Sequence, residues 1–395
     1  MRDAVKQAAD TVLEYTVGRA GGVPGVVAMA TDRRANFYEG ATGKRSLADD
    51  QPMTTDSVMA IFSTTKAITG TAVMQLVEEG QISLDDPARI YVPDIAEIQV
   101  LDGFNDAGQP RLRPPSRDIT LNDLMLHTAG FCYEFFSHDD LKFRTAGGVP
   151  TVVACTFESI RTVLQHDPGE RWTYGVNIDW LGKVVEQVRG KRLGEVMREH
   201  IFDPLDMHDI GFTMTPSMQA RRAVIHDRAQ NGTLTPLPDL TLPQPPEMDM
   251  GGHGLYSTVG EYMKFIRMIL NDGDGPNGRV LKPGTVEAMS RNGLDGLSSG
   301  GWQTSIPSLS NDGEFFPGLK KSWAYTFMVN DEDAPTGRPA GSLGWAGLAN
   351  LFYWIDRKNG IGGFLGTQIL PFQDVAAYPG FVEFETAVYR HALHS

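Results

Sequence analysis

Hydrophobic positions recur at helical spacing through most of the chain, and strand-like runs appear only near its two ends. Val5, Ala9, Val12, Leu13 and Thr16 fall on one stripe, which predicts a helix over residues 1–17. Gly21-Gly-Val-Pro-Gly25 stops it, and residues 26–31 and 36–39 read as two strands around a turn at Asp32-Arg33-Arg34. Residues 59–80 read as one helix, started at Asp56 or Ser57 and closed by Gly80. Ile61, Phe62, Ile68, Ala72, Val73, Met74, Leu76 and Val77 cover most of its circumference, so it is expected to be buried.

From residue 85 to 250 the pattern is helices joined by polar connectors. Helices are predicted over 119–128, 157–165, 178–188 and 193–201, with a loop over 102–118 and a proline-rich crossing over 231–250. Beyond it, 259–270 and 283–291 read as helices. Residues 323–329 and 348–355 read as strands, 356–360 as a hairpin turn, 361–369 as the partner strand and 380–392 as a closing helix. The implied fold class is α+β. A mixed domain, residues 1–58 and 250–395, carries an antiparallel sheet flanked by terminal helices, and a mostly helical domain, residues 59–249, is inserted into it.

Composition narrows the partners. The 395 residues are 41% hydrophobic and carry a net charge of −14, which disfavours nucleic acid and anionic lipid surfaces. The first residues mix charges with apolar side chains, and no run reaches the length of a membrane span. Two cysteines, Cys132 and Cys155, are the usage of a reducing compartment, so both are expected as small buried hydrophobes in a cytoplasmic protein. The expected partner is a small molecule, and the expected state a monomer or homodimer.

Chemistry concentrates in the helix at 59–80. Ser63 and Lys66 stand three apart and share a face, which lets an amine activate a hydroxyl. Such a pair also arises by chance. Gly296-Leu-Ser298-Ser-Gly300 has the spacing of a nucleophile elbow, but lacks a strand before it and a helix after it. The nine histidines form no ligand cluster, His391-x-x-His394 lying at the chain end, and no phosphate-binding glycine motif occurs. No metal or cofactor is therefore expected. Tyr174 precedes a helix, and Gly344-Trp345-Ala346-Gly347 precedes a strand; packing alone accounts for each.

Together, Ser63-x-x-Lys66, Tyr174 and Trp345-x-Gly347 follow the order and spacing of the penicillin-recognising serine enzymes. Ile82-Ser-Leu-Asp-Asp-Pro87, Leu126-His-Thr-Ala-Gly130, Asp203-Pro-Leu-Asp-Met207 and Gly251-Gly-His-Gly-Leu-Tyr-Ser257 match in register. The chain thus resembles β-lactamase-like serine hydrolases, and among them the family VIII carboxylesterases, over residues 20–390. It departs from class C β-lactamases in two places. Tyr174-Gly-Val-Asn177 sets its Asn one residue late, and Trp345-Ala-Gly347 replaces Lys-Thr-Gly. An indole in place of an ammonium disfavours anionic substrates.

The resemblance implies Ser63 as nucleophile, a neutral Lys66 as base and Tyr174 as proton relay. It implies an oxyanion hole from the N–H groups of Ser63 and Leu348, with Trp345, Gly347, Tyr133 and Asp179 as candidate pocket groups. The implied activity is serine carboxylesterase action on neutral short- to medium-chain esters. Amide or β-lactam hydrolysis and acyl transfer to an alcohol are alternatives of the same chemistry, and a non-catalytic binding relative is a remote one.

Overall fold

Leu351–Asp356 is buried at every position, the mark of a strand covered on both faces. It sits at the centre of a seven-stranded antiparallel sheet. The strands are β1 (Gly25–Asp32), β2 (Asn36–Gly43), β3 (Lys321–Trp323), β4 (Met328–Asn330), β5 (Leu343–Gly347), β6 (Leu351–Asp356) and β7 (Ile361–Gly366). Their order is β3-β4-β5-β6-β7-β1-β2. The computed structural model describes residues 2–393, so His394 lies outside it.

Five helices frame the sheet and the site: α1 (Arg2–Gly18), α2 (Thr65–Glu78), α3 (Asn177–Arg189), α4 (Val259–Leu270) and α5 (Ala377–Ala392). Successive residues of a strand point to opposite faces. Tyr353 accordingly meets Tyr262 of α4, ring centroids 5.2 Å apart, while Trp354 meets Phe384 of α5 at 5.8 Å. α1 packs beside α5 and against β2. α2 is buried from Thr65 to Leu76 and packs on α3, as its apolar circumference requires.

All seven strands come from residues 25–43 and 321–366, as expected of a sheet built from the two ends. The residues at the expected domain boundary are themselves paired: Val58–Ala60 joins Tyr256–Thr258, which joins Ile210–Gly211. This small sheet corrects the start of the 59–80 helix. Residues 58–60 are strand, Phe62–Thr64 is a 3-10 turn, and the α-helix begins at Thr65, not near Asp56. Gly80 does follow the helix, with φ +72°.

Several other expectations fail for tertiary reasons. The loop over 102–118 contains a hairpin of Val100–Phe104 and Pro110–Arg113, and 157–165 holds only the 3-10 turn Glu158–Ile160. The run 323–329 is two strands, because Thr326 turns at φ +72° against Gly70 of α2, where a Cβ would come within 2.4 Å of the Thr326 hydroxyl. Leu348 lies in the β5–β6 turn, and 344–347, expected ahead of a strand, is itself β5.

An irregular segment, residues 131–137, depends on a buried cation. Arg144 bonds Asp140 at 2.6 Å and the carbonyls of Pro150 and Ser159 at 2.8 Å, and lies 3.6 Å from Glu134. Arg144→Ala strands the fully buried Asp140 carboxylate. A loss of about 3–5 kcal/mol is expected in denaturant unfolding.

Candidate active site

Ser63 is held out by the backbone before it. Phe62 adopts φ +42°, a left-handed conformation unusual for a non-glycine residue and common where a fold fixes a functional group. Gly347, closing β5, comes so near that a Cβ there would stand 2.5 Å from the Ile61 carbonyl. Only glycine lets β5 reach this turn. Leu348, the next residue, lines the same cavity as Ser63.

Lys66, one helical turn on, is fully buried. Its Nζ lies 3.2 Å from Ser63 Oγ, 2.9 Å from the Tyr133 hydroxyl and 2.7 Å from the Gly252 carbonyl. The carbonyl only accepts, so a neutral amine can donate to Gly252 and Tyr133 and keep its lone pair for Ser63. Burial pushes the amine well below the usual lysine range, and Asp179 opposes that shift.

Tyr174 adjoins both Ser63 and Lys66. The Trp345 indole N–H donates to its hydroxyl at 2.9 Å, and its ring lies 4.6 Å from Lys66 Nζ. Burial raises the phenol, while the Ser63 hydroxyl and Trp345 pull it back down. Asp179 is not on the cavity wall. It is buried behind Lys66 and accepts the Gly252 N–H at 2.8 Å. Tyr133 likewise contributes its hydroxyl to Lys66 and is otherwise stacked on Phe135, centroids 5.0 Å apart. Asn177 turns away to His127, Nδ2 to Nδ1 2.8 Å.

Beside Ser63 is a cavity of about 40 Å³. Its walls include Phe135, Phe136, Trp172, Trp302 and Phe372, none of them identified from the sequence. Phe135, Phe136 and Trp302 lie in segments, 131–150 and 296–318, that the sequence marks as irregular and pocket-shaping, and Trp172 adjoins Tyr174; Phe372 comes from a distant segment and gave no signal. Outside it opens a cleft of about 610 Å³ that shares Phe136, Trp172, Tyr174 and Trp302. Ser298 lines this outer cleft from an irregular loop, without the strand and helix an elbow requires. Residues 231–250 contribute nothing to the wall of either space. Among the described residues there is no metal-ligand cluster and no helix long and apolar enough to cross a membrane, and both cysteines are free and buried.

A serine in the turn leading into a buried helix, a lysine in that helix's first turn, a phenol beside both and a glycine at the end of a strand form the arrangement of a serine acyl-transfer enzyme, an esterase or acyltransferase. A family model described as Beta-lactamase matches residues 2–383, and the chain belongs to that family. Lovastatin esterase of Penicillium rubens is 32% identical over 380 residues, 92% of this chain and 93% of its own. Monacolin J acid methylbutanoyltransferase of Aspergillus terreus is 30% identical over 382 residues, 93% of this chain and 92% of its own. Unliganded simvastatin synthase from Aspergillus terreus covers both chains fully, with TM-score 0.83 at 28% identity. EstCE1, a hydrolase with promiscuous acyltransferase activity, shares the fold, with TM-score 0.78, 20% identity and coverage of 98% and 99% of the two chains.

Proposed function

We propose that this protein is a serine carboxylesterase acting on neutral esters of short- to medium-chain acids. The observation that carries the reading is the wall around Ser63: aromatic rings with Ala346, Gly347 and Leu348, and no charged side chain among its lining residues. A carboxylate-bearing acyl group would lose its hydration there without a cation in return. Ser63 Oγ attacks the ester carbonyl and passes its proton to Lys66. The N–H groups of Ser63 and Leu348 receive the oxyanion. Tyr174, between Ser63 and Trp345, relays the proton to the leaving alkoxide, and water then releases the acid.

A second reading, acyl transfer to an alcohol, draws support from the outer cleft. It is far larger than the inner cavity, and Arg171, Thr173, Ser298 and Gln303 give it a polar rim. An alcohol held there excludes water from the acyl-enzyme. A p-nitrophenyl ester chain-length series, run with and without added alcohols and beside a chromogenic cephalosporin, separates the outcomes. Fast turnover of short esters with little cephalosporin cleavage is expected; cephalosporin turnover that matches the esters overturns the reading.

Trp302 divides the two spaces, stacked on Phe372 with centroids 5.4 Å apart and tilted against Phe136 at 5.9 Å. Trp302→Ala merges them. The ratio of kcat/KM for octanoate over acetate esters is expected to rise by about tenfold, the effect of burying about two more methylenes at ~0.8 kcal/mol each.

A further inference from the structure

Behind Lys66 lies a buried carboxylate that the proton transfers above do not use. Asp179, in the first turn of α3, accepts the Gly252 N–H at 2.8 Å through Oδ1, and the Gly252 carbonyl accepts from Lys66 at 2.7 Å. The neighbouring peptide is tied to α2, where the Thr69 hydroxyl donates to the Gly251 carbonyl at 2.7 Å. A Cβ at position 252 would come within 2.5 Å of the carboxylate, so glycine is needed for Asp179 to sit there. Asp179 Oδ2 and His253 Nδ1 have no hydrogen-bond partner, and His253 Nδ1 lies 3.7 Å from Oδ1.

Holding one glycine N–H needs only a neutral acceptor, which an asparagine supplies. A buried charge costs several kcal/mol more, so its retention calls for an opposite charge nearby. The ionisable groups facing the pair are Tyr133, Tyr174, His127, His253, Glu134 and Cys155. Burial keeps both phenols and the Cys155 thiol protonated, holds His127 neutral and pushes His253 down to about 3. Glu134 lies beyond Tyr133 and acts on Asp179, while Asp179 is the anion acting on Lys66 among the described residues.

We propose that Asp179 is a positioning residue for acylation: through the Gly252 peptide its carboxylate orients Lys66 toward Ser63 and balances the ammonium formed there. The inference rests on the Ser63–Lys66 reading. As the Ser63 Oγ–acyl carbon bond forms, the Oγ–H bond breaks, the proton moves to Lys66 Nζ and the carbonyl electron pair moves onto oxygen. When the intermediate collapses, the proton leaves Lys66 with the alkoxide. Burial raises Asp179 to about 6 and Lys66 opposes that shift, so above that pH the carboxylate is ionised and exchanges nothing in the step.

The test is the pH profile of kcat/KM for a p-nitrophenyl ester in the wild type, Asp179→Asn and Asp179→Glu. The wild type should show an acidic limb, where Lys66 gains its proton and stops accepting one. Asparagine keeps an acceptor for Gly252 and removes the charge. The limb should then move to lower pH by about one unit, with kcat lower by about tenfold and KM little changed. A limb that stays in place while activity falls means a structural role alone and overturns the proposal. If Asp179→Asn does not fold, Asp179→Glu decides: it keeps the charge, so its limb must stay near the wild-type position, and a displaced limb overturns the proposal. A wild type without an acidic limb, or a Lys66→Ala enzyme that retains it, removes the base assignment and this inference together.

Discussion

Ser63→Ala abolishes covalent labelling by a phosphonate ester and reduces kcat to the level left by binding and the oxyanion hole. The loss should reach about 10³-fold or more, because no second serine, threonine or cysteine lines the inner cavity. Ser298 is the alternative that its Gly-x-Ser-x-Gly setting offers, and mass spectrometry of the labelled protein distinguishes the two. A phosphonate adduct on Ser298, or labelling that survives in Ser63→Ala, ends the assignment. The expectation rests on position: Ser63 adjoins Lys66, Tyr174 and the turn after β5, whereas Ser298 lines the outer cleft on a loop.

The second large effect is at Lys66. Lys66→Met keeps much of the side-chain volume and removes the amine, so the fully buried site loses a base without gaining a void. kcat should fall by about 10²–10⁴-fold with KM nearly constant, because proton transfer matters only in the transition state. Near-normal kcat would take Lys66 out of the mechanism. Removing the amine leaves the buried Asp179 carboxylate and the Gly252 carbonyl without their partner, so the variant should unfold earlier than the wild type while staying folded under assay conditions. A variant that stays folded and binds substrate with near-normal KM but has lost kcat separates the catalytic contribution of Lys66 from its structural one.

The parts of this site that were legible in the sequence are those fixed by local geometry. Ser63 and Lys66 are three apart on a helical backbone, and Trp345-x-Gly347 closes a strand, so each pair is set by its own element. The order of Tyr174 between them carried the rest. By residue pattern alone Gly344–Gly347 reads as lying ahead of a strand, because two glycines and one indole hide a strand whose neighbours, β4 and β6, pair with it from other segments. The start of α2 was misread for a related reason. Residues 58–60 have helix-compatible side chains, but pairing with Tyr256–Thr258 decides their backbone. Asp179 was legible as a residue near the site and not as one behind it, since its placement depends on the Gly251-Gly252 peptide brought in from another segment. Phe372 and Trp302 meet only in three dimensions.

Phe62 sets a limit on how freely the rest of the chain can vary. A non-glycine residue in the left-handed region costs about 1–3 kcal/mol, and a folded domain has a net margin of only about 5–15 kcal/mol. The constraint that presents Ser63 therefore consumes a share of that margin comparable to one or two ordinary destabilising substitutions. Lineages carrying this turn must hold their cores closer to optimal packing than a fold without it, and mutational drift in β6 or α4 meets its threshold sooner.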